Sequence, residues 1–149
     1  MYLGVGIMKI KIKKIKDNAI VPSYVHKGDA GVDLYSTEDY ILKPGERVLV
    51  STGIKISIPE GYEAQIRPKS GLALNHGISI VNSPGTVDSC YRGEVGIIAI
   101  NQGKEVYNIK KGKKIAQMIF NKVETVEFEE VKELNNTKRG DSGFGSTGN

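Results

Sequence analysis

Apolar residues recur along this chain in short runs separated by glycine and proline, the pattern of strands joined by turns. Ile10, Ile12 and then Ile15 alternate with lysines, and Ile54, Ile56 and Ile58 alternate with Lys55 and Ser57, the period of two of a half-buried strand. Arg47-Val48-Leu49-Val50-Ser51 and Ile97-Ile98-Ala99-Ile100 carry denser apolar runs and read as buried strands. Between them lie Lys43-Pro44-Gly45-Glu46, Pro59-Glu60-Gly61, Ser83-Pro84-Gly85 and Asn101-Gln102-Gly103-Lys104, each rich in turn formers. Many short strands at regular spacing predict an all-β protein, an antiparallel sandwich or a jelly-roll-like β-barrel.

Two stretches depart from this pattern. Lys113 to Arg139 holds neither glycine nor proline, and Ile115, Met118, Ile119 and Val123 fall at helical intervals. Its later part nevertheless favours strand, because Val123, Thr125, Val126 and Phe128 are β-branched or aromatic and Glu127 and Glu129 flank Phe128. Gly71-Leu72-Ala73-Leu74-Asn75 predicts a single helical turn. After Leu134 the composition changes, with four glycines in the last ten residues and Phe144 as the one large apolar group, which predicts a flexible arm. The expected division is a short N-terminal extension over 1–8, a barrel over 9–134 and a Gly-rich arm over 135–149.

Composition narrows the class. The chain has 149 residues, 39% of them hydrophobic and 26% charged, which suits one compact domain. A single cysteine, Cys90, excludes a disulfide framework, and no run reaches the length of a membrane span. With no basic start before the N-terminal apolar residues, the expected compartment is the reducing cytoplasm. The balance of 21 basic against 17 acidic residues gives a net charge of +4, compatible with an anionic ligand but far from a dense polycationic surface. Stable binding to nucleic acid through Lys104–Lys114 is therefore not expected.

Some motifs fail on context. Gly143-Phe144-Gly145-Ser146-Thr147-Gly148 matches the dinucleotide fingerprint, yet no helix and acidic residue follow before Asn149. His26 and His76 cannot supply a three-histidine zinc site.

Five polar, turn-rich segments remain. Gly28-Asp29-Ala30-Gly31-Val32-Asp33-Leu34 carries two carboxylates, which in such a turn more often make Asx-turns than bind metal. Arg67-Pro68-Lys69-Ser70-Gly71 combines cations, a hydroxyl and a helix start, able either to hold phosphate oxygens or simply to cap the helix. Asn82 to Glu94 reads as a hairpin, with a Pro-Gly turn, Asp88 as hydrogen-bond acceptor and Tyr91 as a flat ring nearby. Lys111-Gly112-Lys113-Lys114-Ile115-Ala116-Gln117 puts an amide just inside a strand after a basic turn, and Arg139 to Gly148 is the arm.

In order and spacing, over nearly the whole chain from about Lys9, these segments resemble the motifs of the homotrimeric dUTP nucleotidohydrolases, the dUTPases. The resemblance implies a jelly-roll subunit, a homotrimer whose active sites draw on more than one chain, and Mg²⁺-assisted hydrolysis of dUTP to dUMP and pyrophosphate. Such an enzyme keeps uracil out of DNA and supplies dUMP for thymidylate synthesis. It further implies that Asp33 stands near Mg²⁺ through metal-bound water, and that Lys69, Ser70 and Gly71 hold the α/β phosphates. Gln117 would orient phosphates or water, while Asp88 would bind the deoxyribose 3′-hydroxyl and orient the attacking water. Tyr91 would pack on the sugar and exclude a 2′-hydroxyl, the Asn82 to Gly85 hairpin would read uracil, and Thr86 and Val87 would also bind substrate. Arg139 would bind the terminal phosphate, Phe144 would stack on the base, Ser146, Thr147 and Gly148 would close on the phosphates, and Gly145 would bind substrate with them. A carboxylate of ordinary pKa, about 3.9, is only a weak base at neutral pH, so positioning must supply most of the rate.

Two residues depart from the family's usual pattern. Lys69 stands where arginine is usual and cannot make a bidentate phosphate contact, and Cys90 stands where an acidic or small residue is commoner. The alternatives are a dCTP deaminase-like enzyme of the same fold and a nucleotide-gated signalling barrel.

Overall fold

The computed structural model describes residues 6–148; most of the expected extension over 1–8, and Asn149, fall outside them. The described chain is built from strands and one short helix. In order these are β1 (Lys11–Lys14), β2 (Val32–Tyr35), β3 (Tyr40–Leu42), β4 (Arg47–Ser51), β5 (Ile54–Ser57), β6 (Tyr62–Arg67), α1 (Ser70–His76), β7 (Ile78–Ile80), β8 (Gly85–Val87), β9 (Gly96–Asn101), β10 (Tyr107–Ile109) and β11 (Lys114–Lys122). Every pairing is antiparallel. A four-stranded sheet runs β2-β11-β6-β8, a three-stranded sheet runs β4-β9-β7, and β1-β5 and β3-β10 form two-stranded pieces, which together make the all-β, jelly-roll-like architecture expected. No helix among the described residues is long and apolar enough to cross a membrane.

The alternation in sequence is the alternation in burial. Ile54 and Ile56 point inward while Lys55 and Ser57 are half-buried, and Ile97, Ala99 and Asn101 of β9 are buried while Ile98 and Ile100 are not. The core gathers Leu34, Leu42, Val50, Ile54, Val95 and Ile97, each at most 1% exposed. Asn101 is the polar member. Its Nδ2 donates to the carbonyls of Leu42 and Glu105, both at 2.8 Å, and its Oδ1 accepts from Gly103 N at 2.9 Å, so its burial leaves nothing unpaired.

Four expectations are corrected. Strand β4 is not buried along its length: Val50 faces the core, but Leu49 points outward and is 64% exposed, because a strand in a sheet with one covered face alternates whatever its composition. The strand expected over Val123 to Glu129 does not form. Regular structure stops at Lys122 and Phe128 is exposed, since β-branched residues make a strand only where a neighbour offers a ladder. The helical segment is two turns rather than one, closed by Gly77 in the left-handed conformation at φ 69° with its N–H on the carbonyls of Ala73 and Leu72. Finally, Asn82 to Glu94 is not a hairpin. β7 pairs with β9, whereas β8 pairs with β6, so this segment crosses from one sheet to the other and back.

Candidate active site

Strand order decides which polar groups meet. Asp33 of β2 lies opposite Gln117 of β11, and Gln117 lies opposite Arg67 of β6, so three chemistry-bearing positions share one row of the four-stranded sheet. The chain leaving β6 then runs through Pro68 and Lys69 into α1, over the same edge. Gln117 is held from two sides. Its Nε2 donates to Pro68 O at 2.9 Å, and its Oε1 occupies the place a side chain on Gly31 would need, 2.7 Å from where a Cβ would sit. A methyl group on residue 31 would push the end of this side chain aside.

Asp33 is the centre of this first cluster. Its carboxylate, 8% exposed, is paired with the ammonium of Lys69 on one oxygen and with Lys114 Nζ at 2.7 Å on the other. Burial pushes its carboxyl pKa up, but the hydrogen bonds and charges of Lys114 and Lys69 outweigh burial and hold it below the ordinary value. Lys114 shifts reciprocally upward, chiefly through its hydrogen bond to Asp33. Lys114 went unmarked in the sequence because it stands in a run of lysines that reads as solvated surface. Only the pairing of β2 with β11 turns it toward a carboxylate. Helix α1 begins at Ser70 with Lys69 as its N-cap residue and no side-chain cap, so the alternative reading of Ser70 as a capping serine does not hold. The exposed first turn presents the N–H groups of Ser70 and Gly71, which have no acceptor within the helix.

A second cluster lies elsewhere. Asn82, Gly85, Thr86, Val87 and Tyr91 line a cavity of about 120 Å³, floored by Ile66, Ile80 and Val95. Gly85 and Val87 are buried, and Asp88 follows at an exposed position. Glu94, which the sequence reading passed over, anchors this loop: its carboxylate accepts Gly53 N at 2.8 Å and the Ser51 hydroxyl, and its carbonyl accepts the Tyr91 hydroxyl at 2.9 Å. Cys90 is exposed, a passive position beside Asp88.

The two clusters do not converge within the chain. Asp33 and Gly85 sit on opposite edges of the sheet β2-β11-β6-β8, three strand spacings or roughly 14 Å apart. None of Asp33, Lys69, Ser70 or Gln117 lines the cavity beside Tyr91. The arm meets neither. Arg139 Nε donates to Ser142 O at 2.9 Å, Phe144 is fully exposed, Ser146 N donates to Gly143 O at 3.1 Å and Gly148 N to Gly145 O at 3.0 Å. Among the described residues, no hydrogen bond or salt bridge joins 124–148 to the barrel.

Comparison with known proteins agrees with the fold and extends it. The deoxyuridine 5′-triphosphate nucleotidohydrolases of Clostridium novyi (strain NT) and Trichodesmium erythraeum (strain IMS101) are each 55% identical over 141 residues, covering 95% of this chain and 99% of theirs. Among solved structures, the dUTPase of Staphylococcus bacteriophage 80alpha with dUpNHpp superposes with a TM-score of 0.88 at 30% identity, over 94% of this chain and 98% of that one. A variant of the phage phi11 dUTPase, described for its coordination of a structural Mg(II) ion, superposes at 0.79 with 27% identity, over 85% and 98%. A family model of the dUTPases matches residues 17–148. With a family match over nearly the whole chain and relatives above half identity, the chain belongs to the dUTPase family.

Proposed function

We propose that the two clusters and the arm, brought together between copies of this chain in a homotrimer, form the site that hydrolyses dUTP to dUMP and pyrophosphate. The observation that carries this is the separation itself. One chain places its phosphate-binding groups and its nucleoside cavity on opposite edges of a sheet and leaves its arm on neither. A second observation supports assembly: Leu49 is exposed on the outer face of the β4-β9-β7 sheet, with Ile98 and Ile100 half-buried on the same face.

In this reading Asn82, Gly85, Thr86 and Val87 hold uracil, and Tyr91 packs on the deoxyribose. A cavity this small rejects a C5 methyl group at a cost of about 1–3 kcal/mol and rejects cytosine by leaving buried polar groups unpaired. Asp88 accepts the 3′-hydroxyl and orients water in line with the leaving pyrophosphate. Lys69 and the first-turn N–H groups of Ser70 and Gly71 meet the α/β phosphates, and Gln117, fixed by Gly31 and Pro68, orients phosphate or water. Arg139, Phe144, Gly145, Ser146 and Thr147 close from the arm and exclude bulk solvent, where each electrostatic contact gains strength.

Mg²⁺ suits these residues only as a metal that arrives with its substrate. Among the described residues, no three His, Cys, Asp or Glu side chains gather to cage an ion, and the first cluster offers Asp33 alone. That is the ligand set expected for Mg²⁺, which keeps its waters and takes one carboxylate beside the phosphates. When bound it would neutralise phosphate charge, with Asp33 holding it through water. In this reading the enzyme works in the cytoplasm, limiting uracil in DNA and supplying dUMP for thymidylate synthesis.

A product assay with dUTP, dTTP, dCTP and UTP tests the reaction. Pyrophosphate and dUMP from dUTP alone are expected, with the rate falling at least a thousandfold in Asp88→Asn. Ammonia from dCTP, or tight dUTP binding without product, would overturn it. Sizing chromatography at micromolar concentration is expected to give a trimer, and a monomer would remove the shared site.

A further inference from the structure

The loop between Asp88 and Val95 folds back upon itself. Tyr91 N donates to Asp88 O at 3.1 Å, and the Arg92 guanidinium donates to the carbonyls of Ser89 and Tyr91 at 2.6 and 2.8 Å. Glu94 and Val95 are fastened to the β4–β5 turn, through Gly53 N on the Glu94 carboxylate and Val95 N on Ile54 O, 2.8 and 2.9 Å. Both ends being fixed, the Tyr91 ring lies back along the chain until its hydroxyl reaches Glu94 O. Gly93 is directly beneath it. A Cβ on Gly93 would stand 2.2 Å from the Tyr91 hydroxyl oxygen, 2.4 Å from Cζ and 2.8 Å from Cε2.

The backbone at Gly93 does not itself ask for glycine, because its φ is outside the left-handed region. Nothing else is within the first rank of contacts there. The ring is what a side chain there would meet first. Carbon atoms settle at about 3.5–4.0 Å, so a methyl group on residue 93 would drive the ring off by more than about 1 Å and break its hydrogen bond to Glu94 O. The loop itself could survive this, since its other bonds are untouched.

We propose that Gly93 is a specificity-determining residue: it is the seat on which the Tyr91 ring rests, and through that ring it sets the discrimination between deoxyribose and ribose. This rests on the reading of Tyr91 as the wall against the sugar. Gly93 touches no substrate in this account and is a positioning residue.

The test is a cycle of kcat/KM measurements with dUTP and UTP. In Gly93→Ala the dUTP-to-UTP ratio is expected to fall at least tenfold, because a displacement of about 1 Å in a positioned group is worth up to a hundredfold in rate. A merely structural role would lower both nucleotides equally, and an unchanged ratio overturns the inference. Tyr91→Phe keeps a ring on the glycine and is expected to retain most of the ratio. Tyr91→Leu removes the ring and is expected to lose it; a ratio preserved there would show that Tyr91 is no sugar wall, a failure of the site reading distinct from that of Gly93. In Tyr91→Leu combined with Gly93→Ala, the added methyl group is expected to lower the ratio no further. An additional loss would mean that residue 93 acts other than through the ring, and would also overturn the proposal.

Discussion

Asp33 shows how far a single residue can be read without its neighbours. A carboxylate in a glycine-rich turn announces chemistry of some kind, and the family pattern names a role. Only the fold shows that two lysines already neutralise it. Lys69 and Lys114 are 45 positions apart and join on one carboxylate because β11 runs beside β2 while the β6–α1 turn crosses above them. No local pattern encodes such a meeting. A carboxyl whose folded pKa is depressed contributes stability that is whole above its unfolded value, near 3.8, and is lost as pH falls through the lower folded value. Asp33→Asn is therefore expected to lower the thermal midpoint at pH 7, by an amount equivalent to about 1 kcal/mol. The gap to the unaltered protein should narrow as melting is repeated from pH 5 down to pH 3. A gap constant with pH would mean that the carboxylate's charge does not stabilise the fold.

At the scale of elements, turns were easier to read than partners. The glycines and prolines marked where the chain reverses, and the isoleucine alternation marked which side of β5 faces inward. Neither says which strand a segment lies beside, which is why Asn82 to Glu94 looked like a hairpin and is a crossing between sheets. The same blindness predicted a strand over Val123 to Glu129, seven residues with strand composition and no neighbouring ladder. Asn101 is the reverse case, a residue that reads as part of a turn and is a buried junction of three segments. Asn101→Ala would strand the carbonyl of Leu42 in the core and leave the part-buried Glu105 carbonyl and Gly103 N–H without their partner. Unfolding in urea is expected to show a loss of about 2–4 kcal/mol with an unchanged slope. A loss below 0.5 kcal/mol would mean that water replaces the amide without penalty.

Among the described residues, the molecule divides into a bonded barrel and a segment, 124–148, that bonds only within itself. Deleting residues 135–149 is expected to leave the melting temperature within about 2 °C while lowering dUTP hydrolysis at least a hundredfold. A large fall in melting temperature would show that the arm is part of the folded body. Five segments dispersed over the chain were enough to reveal the family, and the resemblance implied a site shared between chains; that the segments stay apart within one chain became visible only in the fold. The arm's attachment at Val123 has a further consequence in terms of concentration. On the proposed reading of the arm as flexible, the segment 124–148, which follows the bond of Val123 N to Gly61 O, has a root-mean-square reach of roughly 25–30 Å, so its end explores a small volume around the barrel at an effective concentration in the millimolar range. Each of its closing contacts can then be individually feeble. The arm needs no affinity that would survive in free solution, and the same peptide added to truncated enzyme is expected to restore turnover only at millimolar concentrations. Release after catalysis is quick for the same reason, since what the tether supplies is proximity rather than grip.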